Sequence, residues 1–124
     1  MGNVVNILAN IIVGIIGVLH VYILVLEMFL WDKPKGLKAF GNTQAAATAT
    51  KVLAANQGLY NGFLAAGLFW GLLTGGSEGF NIKLFFLVCV AIAGVYGGMT
   101  ASKKIIYIQT VPAVIGIVLL FLSR

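Results

Sequence analysis

Four stretches of this chain, residues 4–31, 44–74, 83–101 and 105–122, are long and apolar enough to cross a hydrocarbon layer of about 30 Å, which takes roughly 20 residues of helix. No water reaches the backbone inside such a layer, so a chain that crosses it must satisfy its own N–H and C=O groups, and runs of this length do so as helices. The expected fold is therefore all-α, an integral membrane four-helix bundle filling residues 1–124 as a single domain. Composition agrees: 60% of the 124 residues are hydrophobic and 9% are charged, where a soluble domain carries about 25% charged residues. The first stretch does not resemble a cleavable leader, because Met1-Gly2-Asn3 has no basic side chain and the apolar run is too long. Asn6 stands where a myristoylation motif needs Ser or Thr.

The net charge of +5 is distributed as topology requires, and nucleic acid is not expected as a partner. Lys33, Lys35, Lys38 and Lys51 flank the first connection, Lys103 and Lys104 form the third, and Lys83 and Arg124 lie on the opposite side. The positive-inside rule then puts the first and third connections in the cytoplasm and both termini outside, in a multi-pass arrangement. A parallel-repeat or dual-topology arrangement is the alternative. The first connection mixes lysines with Leu37 and Phe40, which suits either a segment lying on the membrane surface or a plain basic loop. Residues 75–81, glycine-rich, are expected to form a flexible outer turn with Glu78 in water. Cys89 is the single cysteine, so no internal disulfide forms.

Against this apolar background the polar residues stand out. His20 and Glu27 are two helical turns apart, on one side of the first helix and about 10 Å apart along its axis. On a helical wheel with Asn6 at zero, Asn10, Gly17, Asn3, His20 and Glu27 all fall within an arc of about 120°, leaving Ile11, Ile15, Tyr22 and Phe29 for lipid. An intramembrane carboxylate costs about 2.5 to 3.5 kcal/mol on insertion scales, so it is expected to have partners. The second helix offers Asn56, Gln57, Tyr60 and Asn61 as two i,i+4 ribbons among the glycines Gly58 and Gly62. Tyr96 and Gln109 add a hydrogen-bonding group from each of the last two helices.

Counted inward from the basic connections at about 1.5 Å per residue, Glu27 lies near 6 Å, Asn56 near 8 Å, Gln109 near 8 Å, Tyr96 near 10 Å, Asn61 near 15 Å and His20 near 16 Å. That matched depth points to a polar pocket opening to the cytoplasm, in which Asn56, Gln57 or a protonated His20 could serve Glu27 as donors. One histidine and one buried glutamate fall short of a transition-metal ligand set, and no motif for a phosphate loop, a nucleophilic serine or a zinc protease is present, so neither metal nor cofactor is expected. The same polar residues would equally serve as glue between helices. Pro112 in the fourth helix frees a carbonyl about one turn earlier, which Gln109 or Thr110 could satisfy.

The segments His20-Val-Tyr-Ile-Leu-Val-Leu-Glu-Met-Phe-Leu-Trp31, Asn56-Gln-Gly-Leu-Tyr-Asn-Gly-Phe-Leu-Ala-Ala-Gly67, Ala93-Gly-Val-Tyr96 and Gln109-Thr-Val-Pro112 together resemble the DUF1304 family of small bacterial integral membrane proteins. The resemblance runs over almost the whole chain and implies a four-span protein of a bacterial inner membrane. A fainter similarity, to the trimeric four-helix proteins of eicosanoid and glutathione metabolism, rests on the Asn56 to Asn61 ribbon. The second helix lacks that group's arginine and glutamate, which argues against glutathione. The functions that fit are binding or proton-coupled transport of a small polar or amphipathic molecule, an enzyme acting on a lipophilic substrate, or a structural membrane component without a ligand. So short a chain would line a pathway only as a homo-oligomer.

Overall fold

The computed structural model describes residues 2–124. In chain order it contains α1 (Gly2–Phe29), α2 (Pro34–Phe40), α3 (Gln44–Thr74), α4 (Gly76–Thr100), a π-helical segment (Ile106–Thr110) and α5 (Val111–Ser123). No strand is present among the described residues. Three helical stretches, Asn3–Phe29, Gly76–Thr100 and Ile106–Ser123, are long and apolar enough to cross a membrane. At 31 residues α3 also has the length, but Asn56, Gln57 and Asn61 fall in its centre and keep it out of that class.

The helices group into two compact units, one holding the chain through Gly17 together with Ala66–Arg124, the other Val18–Ala65. The division falls inside α1 and inside α3.

In the second of these units, the end of α1 leads through a tight turn into α2. Lys33 is extended (φ −100°, ψ 162°) and Pro34 opens the helix, where its missing N–H costs nothing. Gly41 closes α2 with φ 67°, and the N–H groups of Gly41 and Asn42 both bond the Leu37 carbonyl. The basic connection is thus a seven-residue helix rather than a loop. Thr43 caps α3, accepting the Ala46 N–H on its hydroxyl at 3.1 Å. The corner is fixed by the Trp31 indole, which packs tilted against Phe40 with ring centroids 4.8 Å apart and donates to the Thr50 hydroxyl at 3.1 Å. The Asp32 carboxylate pairs with Lys51 at 3.1 Å.

That ion pair gives the corner a pH dependence of known sign. Lys51, hydrogen-bonded to Asp32, holds the carboxyl below its ordinary value of 3.8. A carboxylate depressed in the folded state contributes stability that is present above its unfolded pKa and is lost as pH falls through the lower folded value. With Trp70 replaced by phenylalanine, the Trp31 fluorescence is expected to change on acidification below about 3.8. An Asp32→Asn variant should flatten that change, and an unaltered titration in the variant would refute the assignment.

In the other unit, the end of α3 and α4 form an antiparallel hairpin. The structure corrects the expected loop over residues 75–81: only Gly75 is non-helical, and α4 begins at Gly76 rather than near Lys83. Gly75 and Gly76 have φ of 66° and 63°, a backbone that L side chains rarely adopt, and this lets the chain reverse in one step. Glu78 is exposed in the first turn of α4, where the helix dipole favours an acid. At the opposite end of α4, Ala101 and Ser102 both donate to the Gly97 carbonyl, and the chain enters the π-helical segment ahead of Pro112. Thr110 does not serve the carbonyl freed by Pro112; its hydroxyl donates across to the Ala91 carbonyl of α4 at 3.1 Å. The hairpin of α4 and α5 is closed by Phe80 edge-on to Phe121 at 5.5 Å, with the Arg124 guanidinium 4.8 Å above the Phe80 ring.

Candidate functional site

In α1 the buried positions include Ala9, Val13, Ile16, His20 and Glu27, a stripe at helical spacing, while Ile11, Ile15, Tyr22 and Phe29 are exposed. The four residues assigned to lipid from the wheel are exposed, but so are Asn3 and Asn6 of the polar arc. Within the unit of residues 18–65, His20 is fully buried and Glu27 is 4% exposed. The two are i and i+7 on α1, with Leu24 between them on the same line.

Residues from α3 meet this segment because two glycines let the backbones come close. A Cβ on Gly58 would lie 2.7 Å from Met28 Cγ and 3.0 Å from Glu27 Cβ, and one on Gly62 would lie 2.6 Å from Leu24 Cδ1. The Gly58 to Gly62 step, common in apolar helices, here packs on residues 24–28 of α1. Ala54, Gly58, Asn61, Ala65 and Leu68 are all buried at spacings of three and four, so Asn61 is the one polar residue on that stripe.

Asn61 donates from Nδ2 to Glu27 Oε1 at 2.6 Å, a buried hydrogen bond between side chains 34 residues apart, and its amide also reaches the Gln57 carbonyl at 3.2 Å. The other members of the ribbon lie off the stripe. Asn56 is exposed and bonds back to the Val52 carbonyl of its own helix at 2.9 Å. Gln57 is exposed, as is Tyr60, whose ring lies 6.1 Å from Phe63. The donor on Glu27 is thus Asn61, where Asn56, Gln57 and His20 were the expected ones. Its signal in the sequence was the small-residue spacing of Ala54, Gly58 and Ala65 around it.

Tyr96 and Gln109 belong to the unit of α4 and α5. Tyr96 is 69% exposed and borders a groove of about 410 Å³ lined by Ala91, Ile92, Val95, Met99, Thr110 and Val114. Gln109 is half-buried on the π-helical segment. Charge patterning alone makes Lys83 a flanking charge, but it is 6% exposed and donates to Asn10 Oδ1 at 2.9 Å. Nothing in the sequence but its place seven residues into a helix signals this, because the expected loop hid where that helix begins.

Chemically, the Glu27, Asn61 and His20 group offers a carboxylate fixed by a neutral amide, with one oxygen left to accept a proton or a donor group from elsewhere. The imidazole of His20 lies on the same face of α1. No group of three or more His, Cys, Asp or Glu that could hold a metal ion occurs among the described residues.

Comparison with known proteins places these residues in a family. The chain is 27% identical over 99 residues to an uncharacterised protein, YpaA, of Lactococcus lactis, covering 78% of this chain and 82% of that one. No solved structure gives a significant match. The family model described as a protein of unknown function, DUF1304, matches residues 14–121, a span that includes His20, Glu27 and Asn61, and the chain belongs to the DUF1304 family.

Proposed function

We propose that the protein is a four-span component of a bacterial inner membrane, with both termini outside and α3 as the additional crossing, and that it binds a small polar or amphipathic molecule at Glu27. The observation that carries the reading is the 2.6 Å hydrogen bond between the buried Asn61 amide and the buried Glu27 carboxylate. Ionisable groups kept inside membrane-spanning helices commonly mark ligand or proton pathways. In this reading Glu27 accepts a proton or a donor group of the ligand, His20 passes protons along the same face of α1, and Asn61 fixes the carboxylate. Asn56, Gln57 and Tyr60, exposed on α3, supply hydrogen bonds toward the ligand's remaining polar groups. The basic residues of α2 and of the Ser102 to Lys104 connection hold the ligand-facing ends on the cytoplasmic side. Coupling of binding to a proton makes the protein a candidate transporter acting as a homo-oligomer.

The test is native mass spectrometry of protein extracted from membranes in mild detergent, wild type beside Glu27→Gln. The expected result is a co-purifying small molecule on the wild type that is absent from the variant, with retention that depends on pH only in the wild type. Wild type and variant flying as the same ligand-free species would refute the reading. A retained mass in the lipid or quinone range would transfer the site to an enzyme of lipophilic substrates, with Glu27 as its acid or base.

A further inference from the structure

The unit built from residues up to 17 and 66–124 contains a polar pair that the Glu27 reading does not use. Lys83 of α4 is 6% exposed, and its ammonium donates to Asn10 Oδ1 of α1 at 2.9 Å across 73 residues of sequence. The packing is built around the lysine stem. A Cβ on Gly71 of α3 would lie 2.6 Å from Lys83 Cγ and 3.0 Å from the Lys83 backbone nitrogen, so only glycine leaves room for the side chain there.

An ammonium has three N–H donors, and the amide oxygen of Asn10 takes one. It supplies a dipole but no opposite charge. The acids of the chain are Glu27, Asp32 and Glu78. Glu78 alone shares the unit with Lys83; it is exposed, and the ion pair found among the described residues joins Asp32 to Lys51 instead. A cationic amine held inside apolar helices without a counter-charge is costly, and such groups pair with an anion when one can reach them.

The approach is also marked. Asn3 and Asn6 share the helical arc of Asn10 and are exposed, forming a polar track along α1 from its first turn to the amine. Lys83 lies about 10 Å along α4 from Gly76, and Asn10 about 12 Å along α1 from Gly2, depths that a phosphate at the membrane surface approaches and a long lysine side chain reaches toward.

We infer that Lys83 and Asn10 form an anion site, which takes a phosphate-type group entering along the Asn3 and Asn6 track. The group is either the headgroup phosphate of a lipid or a free phosphate. Both use the same chemistry: ammonium and amide N–H donors toward anionic oxygens. The site stands apart from Glu27 and holds or fails independently of it.

The test uses full-length protein carrying Lys33→Gln, Lys35→Gln and Lys38→Gln, so that the exposed lysines in and just before α2 do not contribute. One arm measures phosphatidylglycerol against phosphatidylcholine adducts by native mass spectrometry, and the other titrates inorganic phosphate calorimetrically. Each arm compares Lys83 with Lys83→Met, Lys83→Arg and Asn10→Asp. The parent and Lys83→Arg are expected to favour the anion about tenfold over Lys83→Met, a difference of about 1.4 kcal/mol. Asn10→Asp, which gives the amine a carboxylate of its own, should abolish anion binding while raising Tm. It also keeps the test decisive if Lys83→Met does not fold. Preference for phosphatidylglycerol alone assigns a lipid headgroup, and phosphate binding alone assigns a free anion. A parent indistinguishable from Asn10→Asp in both arms overturns the site.

Discussion

Replacing Asn61 with leucine is expected to cost about 2 kcal/mol of stability, and a Glu27→Leu, Asn61→Leu double variant to recover more than half of that loss. The single change removes the donor from a buried carboxylate and leaves its oxygen without the partner it has at 2.6 Å. Interhelical hydrogen bonds in membranes average only about 0.6 kcal/mol, but bonds to charged groups reach about 1.5 to 3 kcal/mol. The carboxylate acceptor and the burial of both residues place this one toward the upper range. Glu27→Leu alone costs less, because Asn61 keeps the Gln57 carbonyl as an acceptor. Thermal unfolding of the four proteins in one detergent gives the coupling energy directly. Losses from the two single changes that simply add would show that the contact contributes nothing as a pair.

The second large effect is predicted for Gly94. A Cβ there would meet the Thr110 hydroxyl and lie 2.7 Å from the Thr110 backbone nitrogen, so α4 and the π-helical segment cannot both keep their places around an alanine. Gly94→Ala is expected to destabilise by about 1 to 3 kcal/mol, as overpacking commonly does, and to free the Thr110 hydroxyl from the Ala91 carbonyl. Gly14→Ala is the matched control. Its nearest neighbour would be Leu72 Cδ1 at 3.9 Å, an ordinary contact, so the better helix propensity of alanine should raise stability by up to about 1 kcal/mol. The prediction is therefore a difference in sign between two identical substitutions. If both raised Tm, the close approach at Gly94 would be wrong.

Much of this architecture was visible in the residues. Long apolar runs dictate helices, and the wheel of α1 separated Ile11, Ile15, Tyr22 and Phe29 from the arc that holds His20 and Glu27, as their exposure and burial reproduce. What the sequence concealed depends on contacts across the chain. A ribbon of four polar residues on α3 does not say which one faces a partner, and the choice fell to Asn61 because it shares a line with Gly58, which permits the approach of α1. Gly75-Gly76 was legible as a break, but its left-handed backbone also allowed the helix to restart at once, which carried Lys83 into a helix interior. The π-helical turn before Pro112 had no signal beyond the proline itself.

The single-residue reversal between α3 and α4 bears on how the chain could enter a membrane during synthesis. α3 is the long helix whose polar centre keeps it from qualifying as a crossing by itself, whereas α4 qualifies readily. With only Gly75 between them, neither can leave the insertion machinery far ahead of the other. In the four-span reading proposed above, the free energy of transfer is shared: the strongly apolar α4 would compensate for the asparagines and glutamine of α3, and the two would partition as one hairpin. Lengthening that reversal by inserted residues would uncouple the partners and leave α3 to be judged by its own hydropathy.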